Sequence, residues 1–334
     1  MKKTIIIAEA GVNHNGNPEQ AKALIDVAAG AGVDYVKFQT FRADKIATSY
    51  ANKAAYQEKH TEGGSRQLEM LRKLEMSVAM HEELIAYSKQ KGITFLSTPF
   101  DMESIDLLVS LGITLGKIPS GEITNLPYLR KMATSFEQLI LSTGMATLEE
   151  VKEALAVLQE SGKKLEDITV LHCTSEYPSP IEDVNLLAML TMKRELNVEV
   201  GYSDHTLGIE VPVAAVALGA VLIEKHFTLD KTMEGPDQAA SLEPDELKSM
   251  VLAIRNIEKA LGNGTKQPTA MEEKNKLVAR KSIVAAKPIA GGEVFTIENI
   301  TVKRPGTGVS AMRWDEVIGK TAGRNFETDE LITL

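Results

Sequence analysis

The stretch V-E-V-G-Y-S-D-H-T (198–206) is followed, after a helical stretch, by A-V-L-I-E-K-H (220–226). Each is a short apolar segment rich in β-branched residues that ends in polar side chains, a histidine among them. Apolar runs this short suit buried strands better than helices. Together with the stretch between them they form one strand–helix–strand unit. Working outward, the same kind of segment recurs at T-I-I-I-A-E (4–9), Y-V-K-F-Q-T (35–40), I-T-F-L-S-T (93–98), L-G-K-I-P-S-G-E (115–122), L-I-L-S-T-G (139–144) and I-T-V-L-H-C-T (168–174). Eight strands alternating with helices predict a (β/α)8 TIM barrel. The first helix has Pro18 near its start and Gly30 after its end. Another starts at Thr147 with Glu150 three residues on, a capping-box spacing. A doubly wound sheet is the rival, but no G-x-G-x-x-G follows the first strand, and the G-A-G at 30–32 precedes a strand.

Past Gly264 the pattern changes. Residues 265–281 are polar and read as a linker with a short helix. Residues 282–334 carry short strands broken by Pro and Gly, which predict a small β-rich domain after a barrel of residues 1–264. The long gap between the second and third strands holds an insertion, R-A-D-K-I-A-T-S-Y-A-N-K-A-A-Y-Q (42–57), and long loops of this kind serve the active-site face of a barrel.

Composition narrows the function classes. The chain has 334 residues, 43% apolar and 25% charged, with a net charge of -9. That balance is ordinary for a globular protein, and no basic block with interleaved aromatics points to nucleic acid. No apolar run approaches the ~20 residues of a membrane span. The apolar run after Met1-Lys2-Lys3 stops at Glu9, short of a signal-peptide core of ~7–15 residues, and reads as a first strand. A single cysteine, Cys173, excludes an intrachain disulfide and fits a reducing cytoplasm.

Barrel active sites lie at the carboxyl ends of the strands. Those ends supply Glu9; Lys37 and Gln39; Thr98; Lys117, Ser120 and Glu122; Ser142; Tyr177; Ser203, Asp204 and His205; and Glu224 and His226. Alternation puts Lys37 with Gln39, and Glu224 with His226, on common faces. His205 and His226 end neighbouring strands, ~4.7–4.9 Å apart, so their imidazoles can share a divalent ion such as Mn, Zn or Fe. Asp204 either orients a ring or caps the next helix. Lysines inside apolar strands need partners: Lys37 and Lys117 serve either to bind a phosphate or carboxylate, to form a Schiff base, or as structural ion pairs with Glu9 or Glu122. Glu9 is a general acid/base candidate whose plainer role is a salt bridge to Lys37.

Nine ordered motifs then resemble one family. They are A-E-A-G-V-N-H-N-G, V-K-F-Q-T, F-L-S-T-P-F, K-I-P-S-G-E, L-S-T-G-M-A-T, H-C-T-S-E-Y-P-S-P, Y-S-D-H-T-L-G, E-K-H-F-T-L-D-K-T-M-E-G-P-D and V-K-R-P-G-T-G. The chain is similar to the bacterial sialic acid synthases, which include the legionaminic and pseudaminic acid synthases. The resemblance implies a metal-dependent barrel and a C-terminal antifreeze-like (SAF) domain, assembled as a homodimer with that domain over the partner's active site. It implies condensation of phosphoenolpyruvate with N-acetylmannosamine to a nine-carbon 2-keto acid and phosphate, by C–O cleavage. The alternative sugar is 2,4-diacetamido-2,4,6-trideoxymannose, for legionaminate; a lysine-dependent pyruvate aldolase and a non-catalytic sugar binder are remoter. By the same resemblance His205 and His226 hold Mn, or Mg. Lys37, Thr98, Lys117, Ser142 and Ser203 hold phosphoenolpyruvate, and Ser120 is a further substrate-binding residue. Gln39, Tyr177, Asp237 and Arg304 surround the sugar, and Glu9 and Glu122 are the acid/base candidates. Ser175 departs from the Asn that the family often has after H-C-T, which bears on the choice of sugar.

Overall fold

All eight predicted segments are strands of one parallel sheet in the computed structural model, which describes residues 3–53 and 66–334. Residues 54–57 of the predicted insertion lie outside the described residues. The strands are β1 (Ile5–Gly11), β2 (Tyr35–Thr40), β3 (Thr94–Pro99), β4 (Leu115–Ile118), β5 (Gln138–Ser142), β6 (Ile168–Cys173), β7 (Glu199–Asp204) and β8 (Leu222–His226), in the order β3-β2-β1-β8-β7-β6-β5-β4. β3 and β4 lie against each other and bring the sheet round into a barrel. β4 is shorter than its sequence segment. Pro119 has no N–H for the ladder, so Ser120–Glu122 turns out of the sheet as a 3₁₀ helix.

Around the barrel run α1 (Pro18–Ala31), α2 (Ala43–Ile46), α3 (Gln67–Leu74), α4 (Val78–Lys91), α5 (Met102–Ser110), α6 (Leu126–Ser135), α7 (Leu148–Glu160), α8 (Leu187–Leu196), α9 (Glu210–Ala217) and α10 (Pro244–Ala260). Local sequence explains their ends. Asn17 caps α1 by accepting from the backbone N–H of Glu19 and Gln20, ahead of Pro18. Its stop is Gly32, at φ 79°, and not Gly30, which lies inside the helix. α7 carries the reciprocal Thr147–Glu150 capping box.

Alternation sorts each strand into two faces. Outward residues such as Ile6, Ala8, Val36, Phe38, Val170 and Val200 pack under the helices in the main core. Inward residues form layers. Ile7, Leu96, Ile140, Leu171 and Leu222 make an apolar floor. Above it, at Glu9, Lys37, Lys117 and Glu224, the buried filling is charged. Gly201 faces this interior where no side chain fits: a Cβ there would sit 2.4 Å from the Leu222 carbonyl oxygen and 2.6 Å from Leu171 Cδ2.

The described residues divide into two units, Met1–Gly262 and Asn263–Leu334. The second holds α11 (Ala270–Ala279) and the antiparallel pair β9 (Ser282–Ala285) and β10 (Ile300–Lys303). Its own core is built from Ile283, Ile289, Phe295, Ile300, Phe326 and Ile332. Among the described residues no helix is long and apolar enough to cross a membrane.

Candidate active site

Four buried charges meet inside the barrel mouth. Register places Glu9 beside Lys37 on adjacent strands, and Lys37 Nζ lies 2.7 Å from Glu9 Oε2 and donates to Thr98 Oγ1 at 2.7 Å. Glu224 is the hub. Its carboxylate is 3.6 Å from Lys37 Nζ, 3.3 Å from Lys117 Nζ, and accepts from Ser203 Oγ at 3.1 Å. The partner of Lys117 is therefore Glu224, not Glu9 or Glu122 as the sequence suggested. Glu122 sits half-buried on the 3₁₀ turn and accepts from Asn125 Nδ2 at 2.5 Å.

The electrostatics follow from burial and pairing. Burial opposes the charge on Glu224, but the two ammoniums outweigh it and hold the carboxyl below its usual range. Burial raises Glu9, the Glu224 charge adds to that, and Lys37 offsets only part of it. Burial likewise lowers Lys117, whereas for Lys37 the two carboxylates overcome burial and raise it. The result is one carboxylate kept charged and one ready to hold a proton. Ser142 Oγ, also buried here, makes no hydrogen bond among the described residues.

Above the charges stand two imidazoles. The His205 and His226 ring centroids are 5.5 Å apart, and the Tyr177 ring packs 4.2 Å from the first and 5.8 Å from the second. His205 Nδ1 is 2.6 Å from the Thr174 carbonyl oxygen, so that nitrogen carries the proton and Nε2 keeps its lone pair. Buried His226 Nδ1 has no hydrogen bond among the described residues and lies 3.9 Å from Asp237 Oδ2. Burial lowers both rings, His226 further through the neighbouring His205, which favours the neutral form of each. Two neutral imidazoles, one with an unpartnered buried nitrogen, fit a divalent ion. Among the described residues no group of three or more His, Cys, Asp or Glu is arranged to hold one, so the chain offers two nitrogen ligands and leaves other positions to water or substrate oxygen.

These groups line one cavity of about 530 Å³, together with Gln39, Thr98, Ser120, Ser142 and Ser203. A second cavity of about 310 Å³ adjoins it, and Gln39, Gln67, Phe100, Tyr177 and His226 line both. Glu122 and Asp237 line only the second. Gly11, at φ 53°, marks where they converge: a Cβ there would lie 3.4 Å from Asp237 Oδ2, Gln39 Nε2 and His226 Cε1 alike. Burial pushes the Asp237 carboxyl up to about 6. Ser175 also lines the larger cavity. Arg304 belongs to the second unit, where it is exposed and its Nε donates to the Ala279 carbonyl at 3.0 Å.

Sequence reasoning brought Asp204 to the mouth but gave it the wrong partner. Asp204 neither orients a ring nor caps a helix. It binds Lys225 Nζ at 2.5 Å, and both are fully buried on the outer side of the strands. Lys225 also donates to the Thr206 carbonyl, and Asp204 accepts from Thr206 N and Oγ1 at 3.0 and 2.9 Å. The clamp spans His205 in the chain and fixes the loop that presents it. Its signal was available: Lys225 interrupts an apolar strand as Lys37 and Lys117 do. Gln67, on α3, had no such signal.

A barrel mouth with paired ammoniums beside paired imidazoles is the site of an enzyme acting on an anionic substrate. The chain belongs to the NeuB family, whose model matches residues 24–266, and a SAF domain matches residues 280–334. It is 56% identical to the N,N'-diacetyllegionaminic acid synthase of Campylobacter jejuni over 99% of both chains. It is 38% identical to the human N-acetylneuraminate-9-phosphate synthase, over 89% of this chain and 82% of that one. The crystal structure of an N-acetylneuraminic acid synthetase from Leptospira borgpetersenii, bound to citrate, superposes with a TM-score of 0.71 at 35% identity, covering 82% of this chain and 90% of that one.

Proposed function

We propose that this synthase condenses phosphoenolpyruvate with 2,4-diacetamido-2,4,6-trideoxymannose, giving N,N'-diacetyllegionaminate and phosphate. The observation that carries the reaction class is the single cavity in which Lys37 and Lys117 face His205 and His226. For the sugar, the sequence reading put N-acetylmannosamine first. The higher likeness to the diacetyllegionaminic acid synthase than to the N-acetylneuraminate-9-phosphate synthase supports the reverse order.

The chain's residues divide the work. Lys37 and Lys117 offset the phosphate and carboxylate charge of phosphoenolpyruvate in a water-poor site, where such contacts gain strength. Ser142 Oγ, which has no hydrogen-bond partner among the described residues, and Thr98, Ser120 and Ser203 hold its oxygens. Gln39, Tyr177 and Asp237 orient the open-chain sugar with its aldehyde carbon toward the enol C3. His205 and His226 would hold a divalent ion, Mn or Mg. When bound, such an ion supplies Lewis acidity to a carbonyl oxygen. C3 bonds to the aldehyde carbon, water adds at C2, and phosphate leaves by C–O cleavage. The new hydroxyl takes a proton and the attacking water loses one. Glu9, raised by burial and within the charged layer, exchanges these protons, whereas Glu122 faces the adjoining cavity. Both lysines pair with buried carboxylates, Lys37 with Glu9 and Lys117 with Glu224, which supports their reading as charged anion-binding groups. The functional unit is a homodimer in which Arg304 of the SAF domain reaches the sugar in the partner's barrel.

Phosphate release with Mn is the test, using phosphoenolpyruvate with each sugar in turn and the product mass determined. Release requires both substrates and is faster with the diacetamido sugar. Release from phosphoenolpyruvate alone, or no nine-carbon product from either sugar, would overturn the reading.

A further inference from the structure

The smaller cavity has two unlike walls. One is polar: Gln39, Tyr177 and His226 are shared with the reaction cavity, and Glu122 and Asp237 line this cavity alone. The other comes from α2 and α3. On α3 the residues that reach the cavity are Gln67, Met70, Leu71 and Leu74, spaced i, i+3, i+4, i+7, a single helix face. Only Gln67, at the start of that face, is polar, and it also lines the larger cavity. Ile46 of α2 extends the apolar wall, and Phe41 and Phe100 back it edge to face with centroids 6.4 Å apart. Met70 and Leu74 join Val12 and Phe41 in a small buried cluster, while Ile46 and Leu71 are only partly covered.

We infer that this apolar wall is the specificity subsite for the end of the sugar remote from its aldehyde, and that it selects a deoxygenated end carrying a methyl over one carrying a hydroxymethyl. This inference rests on the synthase reading above. With the aldehyde held near His226 and Glu9, the distal carbons extend past Gln39 and Tyr177 into the smaller cavity. Against Ile46 and Leu71 of the apolar wall a terminal hydroxyl would lose its water and meet side chains that neither donate nor accept. A terminal methyl, or the methyl of a second acylamido group, replaces water against Ile46 and Leu71 at no such loss. Apolar pockets reject an added hydroxyl by on the order of 10²-fold in kcat/KM. That is the selectivity expected between the trideoxy diacetamido sugar and N-acetylmannosamine.

The experiment compares kcat/KM for the two sugars in the full-length enzyme and in Ile46→Asn/Leu71→Gln, two positions partly open to the cavity. The double variant lowers the selectivity ratio at least tenfold, with KM for phosphoenolpyruvate within about twofold of the wild type. Should the double variant unfold, Leu71→Gln alone carries the same comparison. An unchanged ratio, or an equal loss for both sugars, overturns the inference. Sugar affinity measured by calorimetry reads the same ratio without turnover. A wild type that binds both sugars but releases no phosphate would therefore sink the synthase reading, while the binding ratio still decides the role of the wall.

Discussion

Lys225→Met tests the idea that a charge pair outside the barrel governs the imidazoles inside it. Lys225 and Asp204 are both fully buried and 2.5 Å apart. Removing the ammonium leaves Asp204 with the two Thr206 hydrogen bonds and no counter-charge. Breaking a buried pair on one side costs about 3–5 kcal/mol. At roughly 2–4 °C per kcal/mol for a domain of this size, the melting temperature falls by roughly 6–20 °C. The loop that carries His205 loses its anchor as well, and losing such a support lowers metal affinity about 10–100-fold. Scanning calorimetry and Mn titration read the two effects separately. Neutralising the partner too, in Lys225→Met/Asp204→Asn, recovers most of the stability, because no charge is then left buried alone. A single variant that melts within about 2 °C of the wild type, less than 1 kcal/mol, would refute the argument. So would a double variant no more stable than the single.

Lys117→Met removes one of two cations from the proposed anion site and costs about 2–4 kcal/mol of phosphoenolpyruvate affinity, on the order of 30–1000-fold; calorimetric titration measures it. Stability also falls with pH through His14, whose burial holds it down from 6.5 to about 4. Between those values the unfolded chain binds a proton that the native ring refuses, so stability present above pH 6.5 is lost as pH falls. The loss is about 2 kcal/mol between pH 7 and 5, and urea melts of His14→Gln show a flatter slope there. Mixing Arg304→Ala with Lys117→Met protein restores activity that neither has alone if Arg304 serves the partner's barrel; no restoration after subunit exchange counts against that arrangement.

The strands were legible because each is a short apolar run, and the inward phase of Lys37, Gln39, Glu224 and His226 followed from alternation alone. Pairing across the barrel was not. Glu224 appeared only as a strand end, since nothing local tells that its carboxylate meets lysines from β2 and β4. Lys225 was missed because its partner lies on the neighbouring strand in the outward phase. Ser120 and Glu122 were read as strand residues, but Pro119 ends β4 before them. The α3 wall follows the long segment after β2, and no short-range periodicity says where that segment returns. A shared cation followed from two histidines ending neighbouring strands, whereas the dimer and the role of Arg304 are expectations from family likeness alone.

Gly201 has a bearing on any attempt to transplant this chemistry. Between the two strands that lead to the imidazoles, a lone hydrogen atom stands where any side chain would collide with the Leu222 carbonyl. Grafting the histidines onto another scaffold without that vacancy would splay their supports, and a designer copying only the reactive groups would omit the residue that has none.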